Sequence, residues 1–385
     1  MTGAITRCRI LTPDETFESG TIAFDDSGRI TAVGPDVRPP PTAETTDARG
    51  MTIVPGFIDL HVHGGSGHSL ATRDAEEIRS YARWVVSRGV TSFLPTVFGA
   101  SVDEGLEFAR IASEAAGPVD GGAHVLGVNL EGPFVNPDWR GALPAGWVTP
   151  PDVSVFERLA EAAQGQLRLM TVAAELTGAG KLITKAVGRD VTLALGHSMA
   201  GYQTAALAFS AGASHVTHVF NAMSFHHRDP GIIGAAFDSA GTTIEVIADG
   251  VHLHPVTIAM LVKAVGPDRI VLVTDGVPSA GVDGGTFRLG DVQARLAGDR
   301  VLLPDGTIAG GTATMDRVLR NVVHWGVAGM SDAVRMASTV PARVLGLADE
   351  KGRIAPGYNA DLVALDPDLE VVTTWVRGRV VYSRT

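Results

Sequence analysis

His61 and His63 stand two apart in the run FIDLHVHGG at residues 57–65, directly after Pro55 and Gly56. In an extended strand, residues two apart share a face. Both imidazoles therefore project together from a strand that breaks at Gly64 and Gly65. Two readings stand open on this fragment: a pair of buried histidines with ordinary hydrogen-bond partners, or two nitrogen ligands of a metal site. The same kind of residue recurs elsewhere. Successive short apolar runs end in Glu131, Glu175, His197, His218, Asp249 and Asp275. One such residue is ordinarily structural, but several runs ending this way favour a common site. The set combines imidazoles with carboxylates, and the single cysteine, Cys8, excludes a thiolate site. Such donors suit a borderline divalent ion: zinc first, with iron, manganese, cobalt or cadmium as alternatives. His197 and His218 with Glu131 form one candidate group. His61 and His63, with Glu131 as bridge and Asp275 nearby, form a second. An aspartate beside a metal can take a proton from a water whose pKa the metal lowers to ~7, and pass it to a leaving group. Asp275 fits that role, although Gly276 after it equally fits a turn aspartate.

For these residues to meet, the ends of distant strands must converge. Eight apolar runs alternate with segments compatible with helices: MTIVPGFIDLHVH, VTSFLPTV, HVLGVNLEG, LRLMTVAAE, VTLALGHS, SHVTHVF, TTIEVIADG and RIVLVTDG. Between the first two, DAEEIRSYARWVVSRG places Ile78, Tyr81, Ala82, Val85 and Val86 at helical spacing, with Gly89 as the stop. Eight strand–helix units predict an α/β fold, a (β/α)8 TIM-like barrel whose strand ends share one mouth. Both ends of the chain read differently. TIAFDDSGRITAVG predicts a hairpin turning at residues 25–28, PDVRPPPTAETTDARG an irregular connection, and the last stretch, from GRIAPGYNADLVALD onwards, further strands. We expect residues 1–53 and 349–385 to form one small β-sandwich module and residues 54–348 the barrel.

The chain has 385 residues, 45% hydrophobic and 19% charged, with a formal net charge of -11. No basic block stands out, which argues against nucleic acid or an anionic membrane surface as partner. No apolar stretch has signal-peptide or membrane-spanning length, so a cytoplasmic protein is expected. An anionic substrate must then be held by a few local donors.

The order and wording of the motifs resemble the amidohydrolase superfamily and, within it, the N-acetylglucosamine-6-phosphate deacetylase family. The matching pieces are PGFIDLHVHG, FLPT at 93–96, NLEGPFVNP at 129–137, LGHSMAGY at 195–202, THVFNAM at 217–223, HHRDPGIIGAA at 226–236, IADGVHLHP at 247–255, LVTDG at 272–276, IAGGTATM at 308–315 and PARVLGL at 341–347. The resemblance implies hydrolysis of the N-acetyl group of N-acetylglucosamine 6-phosphate, with a metal-bound hydroxide as nucleophile. It implies Glu131, His197 and His218 as principal ligands of one or two divalent ions, His61 and His63 as the added pair, and Asp275 as general base and acid. It further implies a sugar-phosphate grip from Asn221, Ala222, Arg228 and His252, a contribution from Ala142, and a covering loop at Ile308, Ala309 and Gly310. In the family the arginine reaches the neighbouring subunit's substrate, which implies a homodimer. Two departures stand out. Leu143 occupies the place of a family histidine that polarises the substrate carbonyl, and Met199 replaces a common asparagine. The related enzymes that bridge two metals with a carboxylated lysine on the fourth strand fit less well, because LRLMTVAAE has no lysine.

Overall fold

Eight parallel strands form the barrel: Phe57–Val62, Val90–Val97, Val128–Leu130, Leu167–Val172, Thr192–Leu195, His215–Val216, Thr243–Ile247 and Ile270–Val273. Each falls within one of the eight apolar runs. The structure is a computed structural model and describes residues 2–12, 15–282, 286–289 and 292–384. The barrel closes where Val62 bridges Gly276 in parallel. There the Asp275 N–H donates to the His61 carbonyl at 2.9 Å, and the His63 N–H to the Gly276 carbonyl at 2.7 Å. Closure thus joins the strand bearing the histidine pair to the strand bearing Asp275. Every residue of Phe57–Val62 and Val90–Val97 is buried, as strands covered on both faces must be.

Helix Ala75–Val85 shows how the local signals act. The Asp74 side chain caps its start by accepting from the Glu76 N–H at 2.9 Å. The chain stops turning at Gly89, which adopts φ 75°.

Both chain ends meet in one sheet, containing Gly3–Leu11, Thr16–Phe24, Ile30–Gly34, Glu44–Asp47, Thr52–Pro55, Leu362–Leu365, Val371–Val376 and Arg379–Ser383. Ile5, Ile10, Ile22, Ile53, Leu362 and Trp375 share a core separate from that of the barrel. The structure corrects the sequence reading in three places. The run MTIVPGFIDLHVH is two strands: Thr52–Pro55 pairs with Leu362–Leu365 in the terminal sheet, and Phe57–Val62 starts the barrel. Gly56 separates them, packed so tightly that a Cβ there would lie 2.2 Å from Thr91 Oγ1. The connection after Asp36 contains a strand, Glu44–Asp47, parallel to Gly3–Leu11. Its exposed polar residues carry no alternation to reveal it. A three-stranded sheet, Thr286–Leu289, Val292–Ala297 and Arg300–Leu302, follows the eighth barrel strand. Among the described residues no helix is long and apolar enough to cross a membrane.

One contact couples packing directly to the mouth of the barrel. Gly105, in helix Val102–Glu114, lies under Trp147, and a Cβ there would sit 2.0 Å from the indole Cζ3. The indole cannot retreat freely, because its Nε1–H donates to the Glu131 carbonyl at 2.7 Å. Alanine favours a helix over glycine by about 1 kcal/mol at most, whereas overpacking a filled core costs about 1–3 kcal/mol. Gly105→Ala is therefore expected to lower the denaturant midpoint and the melting temperature; a stabilised variant would contradict this packing account.

Candidate metal centre and active site

Four imidazoles and two carboxylates converge where the strand ends meet. Glu131 Oε1 lies 2.8 Å from His197 Nε2, 3.0 Å from His218 Nε2 and 3.7 Å from His61 Nε2, while Oε2 lies 3.2 Å from His63 Nε2. Asp275 Oδ1 lies 3.2 Å from His63 Nε2 and 3.6 Å from His61 Nε2. All six residues are buried. Two groups, His61–His63–Asp275 and His61–Glu131–His218, have donor atoms within 4.8 Å of one another, close enough to share an ion.

The far side of each ring shows what the near side can do. His63 Nδ1 lies 3.0 Å from the Thr96 carbonyl, and His197 Nδ1 lies 2.9 Å from the Trp139 carbonyl. A carbonyl only accepts, so both Nδ1 atoms carry the proton. In a neutral imidazole the Nε2 atom is then a bare lone pair. Those lone pairs face Glu131 oxygens, acceptor against acceptor, and the contact is favourable only with positive charge between them. A proton can serve one such pair, whereas a divalent ion can join several donors at once, as in the groups His61–His63–Asp275 and His61–Glu131–His218. His61 Nε2 and His218 Nδ1 are buried without a hydrogen-bond partner in the protein. The donor set fits a divalent metal.

The electrostatics of the cluster follow from the same crowding. Burial opposes the charge on Glu131, but the surrounding imidazoles, His197 and His218 first, hold its carboxyl well below the usual carboxylate range. Asp275 is likewise lowered against its burial, mainly through the hydrogen bond to His63. Burial works against a charged His63, and the bonds to Asp275 and Glu131 more than offset it, raising the ring to about 9.

The expected substrate residues do not all come together. Ala142, Leu143, Asn221, Ala222, His252, Ile308, Ala309 and Gly310 line a cavity of about 350 Å³, whose floor is Glu131, His63, His197, His218 and Asp275. His252 Nδ1 lies 2.7 Å from Asp249 Oδ2, which turns Nε2 to within 3.9 Å of Asp275 Oδ2. Asp249 therefore orients His252. Glu175 braces the loops instead of joining the centre: its oxygens accept from Asn136 Nδ2, Ser198 Oγ and the Met199 N–H at 2.6–2.8 Å. The Asn221 amide is folded back onto the carbonyls of His218 and Val219, each at 3.2 Å. Arg228 does not line this cavity. It sits exposed in the turn His226–Asp229. Gly310, at φ 92°, lets the covering loop pass Asp275, whose carbonyl would lie 2.9 Å from an added Cβ. His197, His218, Ala222 and Asp275 themselves have positive φ, at 48°, 21°, 48° and 47°. Such backbone costs of order 1–3 kcal/mol per residue and clusters at functional sites.

Sequence reasoning missed a supporting layer. Asp59 Oδ2 accepts from Thr274 Oγ1 at 2.6 Å, and Oδ1 from the N–H groups of Thr274 and His61 at 3.3 Å, binding the first strand to the eighth. Burial, set against those bonds, leaves its carboxyl raised to about 7. Asn129 Nδ2 donates to the Leu60 carbonyl and to Thr96 Oγ1, linking the first three strands. Glu245 and His215 lie behind His61. Their only signal was a charged or polar residue inside an apolar strand.

An eight-stranded barrel with an imidazole–carboxylate cluster at its mouth defines a metal-dependent hydrolase of the amidohydrolase family, and the chain belongs to that family: its pattern matches residues 52–381. Relatives within the family include amino-sugar-phosphate deacetylases. The chain is 34% identical over 379 residues to the N-acetylglucosamine-6-phosphate deacetylase of Bacillus subtilis, covering 97% of this chain and 95% of that one. It is 33% identical to the N-acetylgalactosamine-6-phosphate deacetylase of Escherichia coli O157:H7, covering 99% of each. The solved structure of N-acetyl-D-glucosamine-6-phosphate deacetylase from Mycobacterium smegmatis, in complex with N-acetyl-D-glucosamine-6-phosphate, superposes with a TM-score of 0.92 at 32% identity, covering 99% of this chain and all of that one.

A ligand present at a hundred times its Kd adds about 2.7 kcal/mol to stability. Chelator treatment is therefore expected to lower the melting temperature by several degrees, with an added divalent metal restoring it. Melting that ignores both chelator and added metal would contradict the site.

Proposed function

We propose that the chain hydrolyses the acetamido group of N-acetylglucosamine 6-phosphate, releasing acetate and glucosamine 6-phosphate. The observation that carries this reading is Asp275, set against the His63 edge of the cluster on the cavity floor. Glu131, His197 and His218, with His61 and His63, would hold one or two divalent ions, zinc by preference, since imidazole and carboxylate without thiolate suit it. A bound ion supplies Lewis acidity, acidifying a water and withdrawing electron density from the amide carbonyl.

The chain's own residues perform the proton work. The Asp275 carboxylate, held ionised beside the imidazoles, takes a proton from the attacking water as the new C–O bond forms. It returns that proton to the sugar nitrogen as the C–N bond breaks, so the amine leaves and acetate remains. His252, fixed by Asp249, offers Nε2 towards the bound sugar. Asn221 and Ala222 form the cavity wall, and the loop Ile308–Ala309–Gly310 covers it. Leu143, buried in the wall, offers no hydrogen bond to the carbonyl oxygen where a histidine would.

Arg228 completes the reading in a homodimer. It lies outside its own cavity; Phe225, three residues before it, and Met199 are exposed apolar side chains, at 55% and 51%. A second copy covering that face would bring Arg228 to the neighbouring substrate's phosphate, where a guanidinium binds two oxygens at once. The similarity to an N-acetylgalactosamine-6-phosphate deacetylase supports the C4 epimer as a second candidate substrate.

Acetate release should be measured on both N-acetylhexosamine 6-phosphates and their unphosphorylated forms. Turnover of N-acetylglucosamine 6-phosphate above the rest is expected; preference for the galacto epimer would reassign the substrate, and no release from any would refute the activity. Asp275→Asn is expected to retain metal and lose about 10²–10⁴-fold in kcat; full turnover would remove Asp275 from the chemistry. Arg228→Ala is expected to raise KM for the phosphorylated sugar by about tenfold to a hundredfold, with little effect on an unphosphorylated one. Equal effects on both would argue against a phosphate contact.

A further inference from the structure

One layer beneath the cluster, the barrel interior holds a second polar group that the chemistry above does not use. Glu245 lies within the seventh barrel strand, Thr243–Ile247. Its Oε2 is 3.0 Å from His61 Nδ1 and accepts from the His218 backbone N–H at 2.9 Å. Its Oε1 is 3.1 Å from Nε2 of His215, whose Nδ1 lies 2.6 Å from Thr243 Oγ1. Glu245, His215 and His61 are each 0% exposed. A carboxylate so deeply buried is strongly unfavourable unless its oxygens are satisfied, and branched apolar residues usually fill a barrel interior. This position therefore departs from what packing alone would select.

We infer that Glu245, braced by His215, is a positioning residue for the metal centre: it accepts the Nδ1–H of His61, fixes that tautomer and turns the His61 Nε2 lone pair onto the ion. Three observations converge on this. His61 is the member common to both candidate ion groups. Its Nε2 has no hydrogen-bond partner within the protein and stands 3.7 Å from Glu131 Oε1 and 3.6 Å from Asp275 Oδ1. Among the described residues it is also the one ring of the four backed by a carboxylate. His63 and His197 are backed by carbonyls, and His218 Nδ1 has no partner. A carboxylate behind an imidazole raises the basicity of the opposite nitrogen and holds the ring's orientation. His215 can act in turn through its Nε2, 3.1 Å from Glu245 Oε1, while its Nδ1 is held by the Thr243 hydroxyl at 2.6 Å, an oxygen that also lies 3.3 Å from the Ser214 carbonyl. The chain Thr243–His215–Glu245–His61 thus hands one orientation from strand to strand.

The inference rests on the metal-centre reading, and chelator competition on the full-length protein separates the two. Zinc retained per subunit is counted against increasing chelator for wild type, Glu245→Gln, His215→Gln and His215→Ala, alongside each protein's thermal melt. Glutamine keeps an acceptor towards His61 but removes the charge. Glu245→Gln is expected to melt cooperatively and to bind zinc about 10–100-fold more weakly. His215→Gln, which can still donate to Glu245, should stay near wild type, while His215→Ala weakens retention. A folded Glu245→Gln protein with wild-type retention overturns the inference. If that variant does not fold, the His215 pair decides, and equal retention in both overturns it. A wild-type protein that holds no divalent ion, zinc, iron, manganese, cobalt or cadmium, refutes the metal centre, and this inference with it.

Discussion

The structure is organised around a repulsion. Two carboxylates and four imidazole Nε2 atoms face one another in a buried rim, with Glu131 oxygens 2.8–3.2 Å from three of those nitrogens. Away from water, such groups are tolerated only when positive charge joins them. The barrel supplies the means to force this convergence. The six donors ride on five strand ends, His61 and His63 sharing the first, and none can withdraw without disturbing a buried ladder.

Around that rim the protein spends its polar interior on orientation. Asp59 and Thr274 tie the first strand to the eighth, Asn129 and Thr96 tie the first to the third, and Glu175 clamps the loops after the third and fifth. Backbone carbonyls fix the tautomers of His63 and His197. Trp147 holds the Glu131 carbonyl from outside, against a helix that approaches it only because residue 105 lacks a side chain. Chemistry at the mouth is thus continuous with packing in the wall.

Much of this was legible before any coordinates. Strands buried on both faces read as unbroken apolar runs, and a ligand-type residue ending such a run stands out, which is why the eight strands and His61, His63, Glu131, His197, His218 and Asp275 could be read directly. Other features carried no such mark. Glu44–Asp47 is a strand by its pairing to Gly3–Leu11, not by its own polar sequence. Glu175 and Asp249 look like Glu131 and Asp275 in sequence, and only three dimensions separate an acid that faces the centre from one that braces its neighbours. Arg228 belongs to a motif, yet its relation to the cavity depends on a surface turn and not on strand register.

The left-handed backbone at His197, His218, Ala222 and Asp275 has an evolutionary consequence. These residues carry side chains where glycine would rest more easily, so the fold is held slightly uphill at the spot where it must work. Selection for durability alone would relax those positions and erode the machinery. Side chains at these four positions thus trade some sturdiness of the chain for rigidity of purpose.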